Sequence, residues 1–146
     1  MITGHGIDIV DIARIRTAME KSVKFAKKVF TKREIDYCET KKNKYQSYAA
    51  RFAAKEAFMK AIGTGWAKGI TFTDIEITSN PDSVPEITLH NETKKYFDKL
   101  GYKNILISLS HTDNTAIASV IITSVNTNTV IASEAWQSNT EFGEES

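Results

Sequence analysis

The sequence predicts an α+β fold: an antiparallel sheet with segregated helices, one of them long and buried. Two observations predict it. Residues 105–113 and 115–123 are alternating apolar runs with Asn114 between them, the pattern of an antiparallel hairpin. Residues 45–62 are apolar nearly all round a helical wheel, which suits a covered helix rather than a solvated one.

The elements follow in order. Gly4-His-Gly-Ile-Asp-Ile-Val10 alternates at strand period, so a strand spans about 3–10. Asp11 then precedes the Ile12, Ile15, Met19 stripe and is the candidate cap of a helix near 11–20. Helices near 22–29 and 31–40 lead to the helix at 45–62, which Gly63 closes as a C-cap. Strands are expected near 70–78 and 85–90. Asn91 and Glu92 open a helix that runs to about 100 and stops at Gly101, and strands at 104–111 and 114–123 complete the unit. Ser124 to Ser146 stands apart as an acidic, polar extension with one short apolar piece at 129–133, so the domain is placed at 1–123.

The helix at 45–62 carries an acid and an amine among small residues. At 100° per residue, Glu56 and Lys60 fall on one side with Ala49, Phe52, Ala53 and Ala57, while Arg51, Lys55, Phe58 and Ile62 fall on the other. An exposed i,i+4 ion pair is the ordinary explanation, worth about 0.2–0.5 kcal/mol. Such a pair prefers a polar face, and charged groups are seldom covered without a partner, metal or ligand. Asp8 raises the same question. Ile7 and Ile9 face one way along their strand and Asp8 the other, beside glycines that permit close backbone approach. With Asp11 assigned to the cap, Asp8 and Glu56 form a pair of hard oxygen ligands, the usual protein share of a Mg²⁺ site that keeps waters for a phosphate substrate. Ser110, His111 and Thr112 sit at the hairpin rim, and Ser-x-Ser-His lacks the Gly-x-Ser-x-Gly elbow of a hydrolase nucleophile.

Gly-Ile-Asp-Ile-Val, then Arg-Phe-Ala-Ala-Lys-Glu-Ala-Phe-x-Lys-Ala-x-Gly-Thr-Gly, then Ser-Leu-Ser-His-Thr occur in the order and spacing of the holo-[acyl-carrier-protein] synthases. The chain resembles this family of small 4′-phosphopantetheinyl transferases of bacterial fatty-acid synthesis over about residues 1–123. The resemblance implies transfer of phosphopantetheine from coenzyme A to a serine of apo acyl carrier protein, with release of adenosine 3′,5′-bisphosphate. It implies Asp8 and Glu56 as Mg²⁺ ligands, Lys60 close to the phosphates, and His111 near the nucleotide and the reacting phosphate. Gly65, Ser110 and Thr112 would line the coenzyme A cleft with them. It further implies a homotrimer whose active sites are shared between chains, which a helix too apolar for a small domain to cover also suits. The Gly63-Thr64-Gly65 loop lies at the negative end of its helix, where the dipole repels anions, and is not read as a phosphate cradle. Pro81-Asp-Ser-Val-Pro85 lacks the Gly that the family carries before the proline, so no cofactor contact is carried over to this turn.

Composition agrees with one domain, since 146 residues at 41% hydrophobic content suffice for a modest core. No apolar run reaches membrane-spanning length and the start has no secretory pattern, so a soluble cytoplasmic protein is expected. Cys38 is the single cysteine, which excludes an intrachain disulfide. Residues 1–60 hold 14 Lys/Arg against 7 Asp/Glu, a net +7, whereas 61–146 hold 5 against 11, a net −6. Arg14, Arg16, Lys21 and Lys24 belong to that basic half and suit an acidic partner such as an acyl carrier protein. Nucleic acid is the weaker partner because no nucleic-acid-binding motif accompanies the charge. Two other readings stand beside the transferase. One is a non-catalytic basic module, against which the two carboxylates argue, because anion binding gains nothing from them. The other is a Mg²⁺-dependent nucleotide pyrophosphatase using the same groups on water.

Overall fold

The structure, a computed structural model, describes residues 1–63 and 69–124. Strand β1 (Ile2–Asp11) leads into helices α1 (Ile12–Lys21), α2 (Val23–Val29), α3 (Lys32–Glu39) and α4 (Lys44–Ile62). Strands β2 (Ile75–Ser79) and β3 (Pro85–Leu89), helix α5 (Asn91–Lys99), and strands β4 (Asn104–His111) and β5 (Thr115–Thr123) follow. One antiparallel sheet has the order β1-β5-β4, and β2 pairs with β3 in a second. The α+β architecture with antiparallel sheets matches expectation. The expected strand at 70–78 is shorter, because Phe72–Asp74 forms a 3₁₀ turn and pairing begins only at Ile75. Asp11 occupies the N-cap position of α1 but its side chain makes no capping bond. Thr31 is the cap that works, in a capping box with Glu34 at the start of α3.

Helix α4 lies across the inner face of the three-stranded sheet, where Ala116, Ala118, Val120 and Ile122 of β5 are buried. Its own Ala49, Ala53, Ala54, Ala57, Phe58, Met59, Ala61 and Ile62 are buried too. Burying one Phe or Ile is worth about 1.5–3 kcal/mol, so these contacts supply much of the stability of so small a domain. Small residues set the distance. A Cβ at Gly6 would collide with the Ala57 carbonyl, and one at Gly4 with the Ala61 carbonyl, so β1 rests directly on the backbone of α4. Gly63 ends the helix at φ 83°, a left-handed conformation that favours glycine.

The far face of α4 carries a buried ion pair that sequence spacing placed there without a partner. Lys55 Nζ donates to Glu34 Oε1 at 2.6 Å, to the Val29 carbonyl at 2.7 Å and to the Phe72 carbonyl at 3.0 Å. Glu34 Oε1 also accepts from Thr31 N, and its Oε2 from Ile77 N. One cluster thereby ties α2, α3, α4, the 3₁₀ turn and β2 together. All three ammonium donors are matched, as a buried charge requires. Burial still holds the Lys55 pKa below its ordinary value, an effect that the nearby Glu34 carboxylate opposes.

Candidate active site

Because β1 lies against α4 with Gly6 and Asp8 on the same side of the strand, Asp8 arrives beside the helix flank that bears Glu56 and Lys60. Its side chain is only 16% exposed. Lys60 Nζ donates to Asp8 Oδ1 and to the Ile7 carbonyl, each at 3.0 Å, so the lysine bonds across to the strand. Glu56 is half-buried. Burial first, and then the Asp8 charge, raises its carboxyl pKa, while Lys60 and Arg14 act in the opposite sense. Asp8, Glu56 and Lys60, three residues from two elements, therefore meet at one spot. Two carboxylates that repel each other, with one ammonium between the chain segments, make a donor set of hard oxygens that fits a divalent cation. Among the described residues no third His, Cys, Asp or Glu joins them, which leaves coordination positions for water or substrate oxygens.

A second locus lies on the opposite flank of α4. Ser110 and His111, at the end of β4, line a cavity of about 400 Å³ together with Arg51, Ser47, Gln46 and Tyr37. Thr112 lies next to it with its hydroxyl committed to the turn, where it meets Thr115 Oγ1 and accepts from the amides of Asn114 and Thr115. Sequence reasoning put Arg51 on the far face of the helix and gave it no role. It is only 7% exposed, its Nη1 donates weakly to the Ser47 carbonyl at 3.4 Å, and its buried Nε has no partner among the described residues. The available signal was the one raised for Glu56: a charge within an alanine-rich helix needs something to answer it. Gly65 lies outside the described residues.

Arg14, Arg16, Lys21 and Lys24 are exposed on α1 and α2. Arg14 is near enough to act on the Glu56 carboxyl. Arg16 is engaged within α1, its Nε 3.0 Å from Glu20 Oε1, and it also lies over the Tyr45 ring. Lys21 ends α1 and Lys24 lies in the first turn of α2, both exposed.

Residues 4–121 match the family model of the 4′-phosphopantetheinyl transferase superfamily. A holo-[acyl-carrier-protein] synthase of Solibacter usitatus is 46% identical over 123 residues, covering 84% of this chain and 98% of that protein. The crystal structure of the Neisseria meningitidis holo-[acyl-carrier-protein] synthase is similar with a TM-score of 0.79 at 32% identity, over 84% of this chain and 99% of that one. The Helicobacter pylori holo-[acyl-carrier-protein] synthase, solved in complex with coenzyme A, is 37% identical with a TM-score of 0.72, covering 82% of this chain and 99% of that one. Similarity of this extent in both sequence and fold, spanning nearly the whole of each relative, shows that the chain belongs to the 4′-phosphopantetheinyl transferase superfamily.

Proposed function

We propose that the protein is a holo-[acyl-carrier-protein] synthase, an enzyme that moves 4′-phosphopantetheine from coenzyme A to a serine of apo acyl carrier protein. The serine oxygen bonds to the phosphorus on the pantetheine side and its proton passes to solvent, the pyrophosphate bond breaks, and adenosine 3′,5′-bisphosphate leaves with the bridging oxygen. The convergence of Asp8, Glu56 and Lys60 carries this reading. Asp8 and Glu56 would hold Mg²⁺. When bound there, the ion neutralises charge on the pyrophosphate, the main demand of phosphoryl transfer. Lys60 brings an ammonium to the same place, and His111 and Ser110 would face the nucleotide from the cavity that they line with Arg51. Thr112 and Gly65 would complete the coenzyme A cleft. Arg14, Arg16, Lys21 and Lys24 offer an acidic carrier protein a docking surface beside the carboxylates.

The two loci sit on opposite flanks of α4, which supports an active site shared between neighbouring chains of a homotrimer: nucleotide in one chain's cavity, reacting phosphate at the next chain's carboxylates. The outer face of the β1-β5-β4 sheet supports the same assembly. Ile7 and Ile9 are 52% and 65% exposed there, next to Ser119 and Ile117 of β5. The catalytic domain is residues 1–123 and residues 124–146 are an extension. We place the enzyme in the cytoplasm, which the buried, unpaired Cys38 suits, and no helix among the described residues is long and apolar enough to cross a membrane.

Incubation with coenzyme A, Mg²⁺ and apo acyl carrier protein, read by intact mass, tests the proposal. The carrier should gain one phosphopantetheine, and Asp8→Ala or Glu56→Ala should remove most of that gain while the fold survives. Coenzyme A cleaved without any gain on the carrier would make the protein a pyrophosphatase instead.

A further inference from the structure

Strands β3 and β4 are both sheet edges. Among the described residues β3 pairs only with β2 and β4 only with β5, so each keeps one side without a strand. Both strands line one groove of about 850 Å³, walled by residues 84–89 and 103–108 with Phe97 of α5. Ile87, Leu89, Ile105 and Ile107 are half-buried there, and Val84 is 50% exposed. An open strand edge flanked by apolar side chains is a template for another extended segment, and folded proteins cover such edges.

Chain able to cover it starts at one end of the groove. Thr123, the last residue of β5, is the register partner of Asn104, and its carbonyl accepts from the Lys103 amide at 2.9 Å. Lys103 and Asn104 both line the groove. Residues 125–146 lie outside the described residues. Their sequence holds Val130, Ile131 and Ala132 between Thr129 and Ser133, a short apolar run with two β-branched members. At about 3.3–3.6 Å per residue, 125–129 span up to about 17 Å, close to the length of the 103–108 wall. Charge favours the same match. Residues 125–146 carry Glu134, Glu141, Glu144 and Glu145 with no Lys or Arg. The groove offers Lys94 and Lys103 against Glu86, and Lys103 has no ion pair among the described residues, whereas Lys94 is held by Asp98.

We propose that the groove between β3 and β4 is a docking site for residues 129–133 of the same chain, which add to an open strand edge through their backbone and set Val130 and Ile131 among the half-buried isoleucines. The inference is independent of the reading of the active site.

Hydrogen–deuterium exchange of the full chain, read by mass spectrometry, tests it against the double variant Val130→Asp with Ile131→Asp. Peptides covering 84–89 and 103–108 should exchange about tenfold faster in the variant, while those of α4 keep their rate. Unchanged exchange in the two wall segments, or faster exchange in α4 as well, would overturn the proposal. Benzoylphenylalanine substituted for Thr129 then identifies the occupant by photo-cross-linking. Adducts within 84–89 or 103–108 that run at monomer mass on a denaturing gel are expected. Adducts at dimer mass would put the segment of a second copy in the groove, and adducts elsewhere in the chain would put the segment on another surface; either result defeats it.

Discussion

Glu56 is held in a place that does not suit its charge. Burial and the Asp8 carboxylate raise its pKa in the folded chain, so folded Glu56 keeps its proton at a pH where the unfolded chain has lost it. The stability this brings is complete below the unfolded pKa and is lost as pH rises through the folded value. At neutral pH the ionised side chain therefore works against the fold. Glu56→Gln should melt at a higher temperature than the unaltered protein at neutral pH without metal, and should no longer be stabilised by Mg²⁺. Differential scanning fluorimetry with and without Mg²⁺ reads both, and a variant that melts lower yet still responds to the ion would contradict the assignment. Asp8, Glu56 and Lys60 were legible in the sequence because each stood at odds with its surroundings on a readable period. Arg51 offered the same signal of a charge in an alanine-rich helix, but what surrounds it, the Tyr37 ring and a cavity shared with the β4 end, is not revealed by spacing along one helix.

At the scale of elements, α4 is fixed from both sides, by glycine contacts to β1 and by the Lys55–Glu34 cluster. Removing one member of a fully buried pair strands the other. Lys55→Met should cost about 3–5 kcal/mol in urea unfolding, a large share of the about 5–15 kcal/mol available to a domain. Adding Glu34→Gln, which keeps an acceptor for the Ile77 amide and removes the stranded charge, should recover part of the loss. No recovery in the double variant would show that the cluster acts through packing instead. Most elements were readable from hydrophobic period and end signals to within a residue or two of their observed bounds. The start of β2 was not, because the turn at Phe72–Asp74 is held by contacts distant in sequence: Lys55 on the Phe72 carbonyl, and Asn91 and Thr93 on Asp74.

For the molecule as a whole, the sheet has one face on α4 and one face on solvent, and the solvent face carries isoleucines. An apolar face left open on a small domain asks for another subunit. Ile9→Glu should give a monomer in sedimentation velocity and lose transferase activity with it; a fully active monomer would rule out the shared site. The trimer is expected from the family resemblance, with the apolar helix as support, but that helix is largely covered by its own chain, and the exposed sheet face supports the expectation better. The contact of Gly4 and Gly6 with the Ala61 and Ala57 carbonyls has a consequence on this scale too. Strand and helix meet main chain to main chain, so the separation of the backbones that carry Asp8 and Glu56 is gauged by the radii of backbone atoms. Core side chains can change rotamer, or be exchanged for others of like volume, without altering that interval. A single methyl group at position 6 would change it, and with it the spacing of the two carboxylates.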